Sequence, residues 1–191
     1  MVATPSTMLE LGTKAPYFQL SDYNRKSYSI ADFKDKPLLI IFMCNHCPYV
    51  RHVISKLSEL IKGYKRRGVS VVAINSNDVE SYPADSPAKM RIFAAENSFS
   101  FPYLYDETQE VAKKYNAACT PDFFLFNSDH VLVYRGQMDN SRPGNNVPVT
   151  GENLTEAIEC LLDGKEMPTI QKPSMGCNIK WKKGNEPVYF R

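Results

Sequence analysis

Little in this 191-residue chain favours a polyanion or a lipid bilayer as partner. The formal net charge is only +2, and no basic run exceeds Lys65-Arg66-Arg67. Binding a phosphate backbone needs a clustered basic face, so nucleic acid is not expected. The longest apolar run is about eight residues, against the roughly 20 of a spanning helix, so no membrane segment is expected. Met1-Val2-Ala3-Thr4-Pro5-Ser6 lacks a basic segment leading into an apolar stretch, and the expected compartment is the cytoplasm. Histidines are scarce, at three. A closed zinc site takes four ligands, and no second close cysteine pair accompanies the first, so neither a metal nor an organic cofactor is expected. Five cysteines, an odd number, argue against a disulfide framework and for redox or catalytic use of some of them.

What the sequence does have is Cys44-Asn45-His46-Cys47, set at the end of the apolar run Leu38-Leu39-Ile40-Ile41-Phe42-Met43. A C-x-x-C that follows a strand in a βαβ pattern reads as a redox motif. A helix N-terminus carries roughly half a positive charge, which is expected to favour the thiolate of Cys44 as the nucleophile. Cys47, about one turn on, can attack a mixed disulfide made by the first cysteine. His46 lies between them, and a protonated imidazole there would stabilise a thiolate and make the pair more oxidising. Pro48 fits the first helical turn, where its missing N–H has no acceptor to lose.

The patterning around the motif predicts one α/β domain. Residues 14–35 read as a hairpin extension, with strands near 17–20 and 27–30. Leu38 to Met43 shows no alternation, as expected of a strand covered on both faces. Val50, Val53, Ile54, Leu57, Leu60, Ile61 and Tyr64 recur at helical spacing and Gly68 closes that helix. Val69 to Ile74 is then a second buried strand, parallel to the first by the handedness of such crossovers. A polar loop at 76–86 precedes a helix at 87–97, a strand at 101–105 and a helix at 108–116. Phe123 to Phe126 and Val131 to Tyr134 flank Asn127-Ser128-Asp129 as an antiparallel hairpin. After a Pro/Gly/Asn loop at 136–150, a last helix covers 152–162. The domain is expected over 10–164, with a tail of little periodicity at 165–191 packing on or near it.

This order of elements resembles the thioredoxin-like fold in its redoxin variant. Ala118-Cys119-Thr120-Pro121-Asp122 stands where that fold keeps a cis-proline facing the active cysteines. Asp106-Glu107-Thr108 and Val111 to Tyr115 are similar to the matching redoxin helix. Asp139-Asn140-Ser141-Arg142-Pro143-Gly144, Pro148-Val149-Thr150-Gly151 and Pro173 to Lys182 resemble a cytoplasmic group of peroxiredoxin-like proteins. The resemblance implies that Thr120 and Pro121 hold a substrate strand. It also implies a salt bridge or a tail clamp at Asp139 and Arg142. Two departures weigh against peroxidase chemistry by the usual route. In the peroxiredoxin P-x-x-x-T-x-x-C pattern, read back from Cys47, the proline position holds Ile40 and the threonine position Cys44, and Asp122 follows Pro121 where an arginine would stand. Thioredoxin's buried aspartate is also missing, since its position holds Leu38.

The expected function is thiol–disulfide exchange by a Cys44/Cys47 pair, with Pro121 and Thr120 positioning a protein or small-molecule disulfide and an external thiol donor resetting the pair. The alternatives are a thiol peroxidase with Cys177 or Cys119 as resolving thiol, and a redox-silent module that binds peptide in the cis-proline groove. Cys177 follows Met175-Gly176 in the irregular tail, where glycine would permit a mobile resolving segment. If Ile179 and Trp181 instead pin the tail, Cys177 is fixed in place. Cys160 lies off the apolar stripe of its helix and carries no expectation.

Overall fold

The computed structural model describes residues 3–190. In chain order the elements are β1 (Ala3–Pro5), β2 (Gln19–Asp22), β3 (Ser27–Ser29), β4 (Leu38–Phe42), α1 (Pro48–Arg66), β5 (Ser70–Asn75), α2 (Pro87–Glu96), β6 (Tyr103–Tyr105), α3 (Glu110–Lys114), β7 (Cys119–Thr120), β8 (Asp122–Phe126), β9 (Leu132–Gly136), α4 (Glu152–Leu162) and β10 (Met175–Asn178). Seven strands form one mixed sheet in the order β3-β2-β6-β5-β4-β8-β9. Within it β4, β5 and β6 run parallel, β8 returns antiparallel to β4, and β9 runs antiparallel to β8.

Strand β4 is central because both of its faces are apolar. Alternate side chains of a strand point to opposite faces. Leu39, Ile41 and Met43 therefore meet the apolar stripe of α1 (Val50, Val53, Ile54, Leu57, Ile61) in one core cluster. Leu38, Ile40 and Phe42 enter a second cluster with Val111, Ala112, Tyr115, Phe124 and Phe126. Strand β4 is thus fixed on both sides, and it delivers Cys44 and Cys47 at its end to the start of α1. Helix α1 ends where Gly68 takes the left-handed conformation (φ 94°), which a glycine adopts without the steric penalty of a Cβ.

The redoxin-type insertion α2-β6 and the N-terminal hairpin fall where the pattern put them. Helix α3 is shorter than the predicted 108–116. Gln109 sits in the left-handed region (φ 64°), and the Asp106 carboxylate accepts the Val111 and Ala112 N–H groups, so the helix starts late. At the other end Asn116 is also left-handed (φ 49°) and stops it.

The tail differs most from the expectation. It contains β10, the middle strand of a second, three-stranded sheet ordered β1-β10-β7. Cys177 is paired with Ala3 on one side and Thr120 on the other. Beyond it, Ile179 and Trp181 are buried in the second core cluster. The Ile179 N–H donates to the Ala118 carbonyl (3.0 Å), and the Lys180 N–H donates to Asn77 Oδ1 (2.8 Å). A glycine and no β-branched residue in Met175-Gly176-Cys177-Asn178 left this strand without a sequence signal. Cys177 is therefore held by a strand and does not ride on a mobile segment.

Candidate active site

Cys44, Asn45, His46 and Cys47 form the turn between β4 and α1. Cys47 is the N-cap of α1 and Pro48 opens the helix. This corrects the expectation that the helix N-terminus serves Cys44, because the turn places Cys44 four residues ahead of the first helical residue. The two thiols act on each other, and their acidities move apart. Cys47 is lowered to about 5: the Cys44 thiol, Thr120, the Cys177 thiol and the Val50 N–H all favour its charged form. Burial opposes them but does not win. Cys44 goes the other way, raised by its hydrogen bond to Cys47, by burial and by the nearby charge of Asp85. One contact favours the protonated form of Cys47, whose Sγ donates to the Thr120 carbonyl at 3.1 Å. Both thiols are buried.

Thr120-Pro121 is a cis peptide, as the resemblance implied. Thr120 faces both cysteines. Its Oγ1 lies 3.6 Å from Cys44 Sγ and its carbonyl accepts from Cys47. Its strand edge is not open, however, since β10 pairs along Cys119 and Thr120. Gly176 sits so close that a Cβ there would lie 2.0 Å from the Thr120 carbonyl oxygen. The groove expected to receive a substrate strand is filled by the chain's own Met175–Asn178 segment.

Nothing in the sequence singles out Asp85, one acid in a polar loop, yet it organises the motif. Its buried carboxylate accepts the backbone N–H groups of Asn45 (2.8 Å) and His46 (3.2 Å), the Asn77 amide (2.8 Å) and His46 Nδ1 (2.6 Å). Hydrogen bonds hold Asp85 below the usual carboxylate range despite burial, and Asp85 in turn raises the His46 pKa. The Tyr103 hydroxyl and the Ala84 carbonyl fix the Asn45 side chain, at 3.0 and 2.9 Å. Tyr82 stacks on the His46 ring, with centroids 5.7 Å apart and planes at 5°. Cys44 Sγ, a His46 ring nitrogen and an Asp85 oxygen lie within 4.8 Å of one another. That set is one ligand short of a closed tetrahedral site, and its His46–Asp85 edge is an ordinary charge-assisted hydrogen bond.

The remaining sequence candidates fall as follows. Cys119 is fully buried, with Sγ 3.7 Å from the Pro121 carbonyl, and burial pushes its pKa well above the ordinary thiol value. Cys177 lies against Cys47 and is pushed up to about 12, first by burial and then by Cys47. Arg142 does not bridge the Asp139 carboxylate: it donates to the Asp139 and Ser141 backbone carbonyls (2.7 Å each), while that carboxylate accepts the Ser141, Thr150 and Gly151 N–H groups. This loop does hold the tail, since the Gln137 N–H donates to the Lys172 carbonyl and Ser174 Oγ donates to that of Gly136. A cleft of about 140 Å³ opens beside Asn45 and His46, between Arg51, Lys89 and Ile92. The larger concavity of about 770 Å³ at Gln19, Tyr23, Arg91 and Tyr105 is lined by no cysteine and plays no part in the site.

A C-x-x-C at the start of α1, opposite a cis-proline on a βαβ and hairpin order, defines a thioredoxin-like redoxin. More narrowly, the chain belongs to the AhpC/TSA family, whose pattern matches residues 11–135. It is 25% identical over 130 residues to thiol-disulfide oxidoreductase ResA of Bacillus thuringiensis subsp. konkukian, covering 68% of this chain and 71% of that protein. An uncharacterized conserved protein from Geobacillus kaustophilus has a solved structure with TM-score 0.93 and 53% identity, covering 95% of this chain and 97% of that one. The thioredoxin domain of a thiol-disulfide oxidoreductase from Bacteroides vulgatus shares the fold alone, with TM-score 0.58 and 19% identity over 66% of this chain and 88% of that one.

Proposed function

We propose that the protein is a thiol–disulfide oxidoreductase working through the Cys44/Cys47 pair. The observation that carries this reading is a buried C-x-x-C facing the cis peptide, with Cys44 Sγ 3.6 Å from Thr120 Oγ1 and Cys47 Sγ 3.1 Å from the Thr120 carbonyl. In the reduced protein Cys47 holds the charge and Cys44 the proton. A thiolate attacks one sulfur of a substrate disulfide and expels the other as a thiolate. The second cysteine then displaces the attached half, closing the Cys44–Cys47 bond and releasing a second substrate thiol. On charge, Cys47 makes the first attack and Cys44 resolves, the reverse of the order read from the sequence. The likeness to ResA supports this chemistry as a class. The substrate is a protein or small-molecule disulfide, and an external thiol donor resets the pair. The odd cysteine count supports a reducing compartment, the cytoplasm, where such donors abound.

Insulin-disulfide reduction with a dithiol donor tests the reading. Activity should be present in the native protein and lost in both Cys44→Ser and Cys47→Ser. Peroxide consumption in place of disulfide reduction would make the protein a thiol peroxidase, and neither activity would leave a peptide-binding module. Ultraviolet absorbance of the thiolate should titrate through about 5 in the native protein and lose that step in Cys47→Ser. A midpoint at the ordinary thiol value of about 8.5 would overturn the assignment of the charge to Cys47.

A further inference from the structure

We propose that Cys177 is the third thiol of the redox centre, exchanging with Cys47 so that the disulfide moves between Cys44–Cys47 and Cys47–Cys177. This rests on the reading of Cys44/Cys47 as an exchange pair. It goes beyond that reading by assigning a catalytic part to a residue outside the motif and outside the region that defines the family, which ends at 135.

Three independent features place the thiol. The register of β10 on β7 sets Cys177 opposite Thr120, whose carbonyl is 3.1 Å from Cys47 Sγ. Gly176 removes the side chain that would otherwise hold β10 away from the Thr120 carbonyl, so the strand lies at backbone-contact distance. The Cys177 thiol then lies against Cys47, within reach of its sulfur. Cys47 is therefore flanked by two thiols, one from its own turn and one from the tail. Burial of Ile179 and Trp181 and the backbone bonds of the tail fix this neighbour in place. No loop-closure entropy opposes the bond, in contrast to a mobile resolving arm.

The exchange needs no outside oxidant. In the oxidised protein the Cys177 thiolate attacks Cys47 Sγ. A Cys47–Cys177 bond forms, the Cys44–Cys47 bond breaks, and Cys44 leaves as a thiolate that takes up the proton Cys177 gave. The number of disulfides stays at one. The electrostatics make the step conditional on oxidation. In the reduced protein the charge on Cys47 and the hydrogen bond to it help keep Cys177 protonated. Once Cys47 is in a disulfide that charge is gone, while Lys180 still favours a Cys177 thiolate. The relay frees Cys44 from the disulfide while the tail sulfur holds the oxidising equivalent, and the neighbouring His46 lines the cleft of about 140 Å³.

Acid-quenched disulfide mapping tests this. The reduced full-length protein is exposed to oxidised glutathione, quenched, alkylated and digested. Wild type should give Cys44–Cys47 together with a Cys47–Cys177 species in which Cys44 carries the alkyl label. The Cys44→Ser variant should convert to Cys47–Cys177 with Cys119 and Cys160 still alkylated, and adding Cys177→Ser should leave glutathione on Cys47. A Cys44→Ser protein that ends with glutathione on Cys47 and an alkylated Cys177 would overturn the inference. So would a wild-type protein in which Cys44 is never labelled in singly oxidised material, a reading that needs no variant to fold. Absence of any Cys44–Cys47 peptide in wild type would instead remove the exchange-pair reading, so the two failures are distinguishable.

Discussion

Replacing Gly176 by alanine puts a carbon where the backbone of the neighbouring strand already stands. The added Cβ would lie 2.0 Å from the Thr120 carbonyl oxygen, 2.6 Å from its carbonyl carbon and 3.2 Å from the Pro121 nitrogen. No flexible side-chain end can swing away, so β10 must shift off β7 or the segment carrying the cis-proline must deform. Inserting a methyl into a filled site costs about 1–3 kcal/mol, and the rigid backbone partners place Gly176→Ala at the upper end. Cys47 is fully buried beside the Thr120 carbonyl that this strand covers, so its alkylation is expected to follow the free energy of local opening. At about 1.4 kcal/mol per decade, native-state alkylation of Cys47 should speed up roughly 5- to 150-fold. Mass-spectrometric alkylation kinetics read this directly, with the urea midpoint measured in parallel. Gly63→Ala is the control: nothing lies within 4 Å of its Cβ, it sits inside α1, and it should raise the folding stability by up to ~1 kcal/mol, and the midpoint with it, without touching the thiol rate. An unchanged Cys47 rate in Gly176→Ala would refute the claim that β10 covers the pair through this close approach. An increase matched by an equal loss of global stability would show that the strand does not open on its own.

Asp122, fully buried beside Pro121, is pushed up to about 7 by burial, against a hydrogen bond from Ser6 Oγ at 3.1 Å. A carboxyl raised in the folded state contributes stability that is whole below its unfolded value of 3.8 and is lost as pH rises through about 7. The loss is on the order of 4 kcal/mol for a group this buried. Wild type should therefore lose urea resistance between about pH 4 and 7 relative to Asp122→Asn, and parallel profiles for the two would refute the assignment. Asp85→Asn removes the main cause raising the His46 pKa, so the imidazole proton resonances should titrate at lower pH. The sign for stability is that the His46–Asp85 contribution is present below the unfolded histidine value of about 6.5 and lost as pH rises through the raised folded one. An unmoved His46 titration in Asp85→Asn would count against the 2.6 Å hydrogen bond.

The local parts of this protein were legible in its residues because their causes are local. An unalternating Leu38 to Met43 is a strand buried on both faces, and Val50, Val53, Ile54, Leu57 and Ile61 at helical spacing make α1 pack on it whatever else surrounds them. The position of Cys44 and Cys47 at that junction, and the proline two residues after Cys119, were enough to point to the candidate site. Which cysteine the helix serves was not legible, because it depends on the turn residue at which the first helical bond closes, and Asp85 decides that by gathering the Asn45 and His46 N–H groups from 39–40 residues away. Strand β10 was hidden for a similar reason. Its glycine and cysteine carry no strand propensity, and it forms because β1 and β7 offer unpaired backbone on both sides and Gly176 alone fits against Thr120. Composition and periodicity were enough for the main sheet, the helices and the place of the C-x-x-C between β4 and α1. Only long-range backbone pairing brought Cys177 to Cys47, since contacts between segments 130 residues apart depend on the edges and volumes left over once the core has formed.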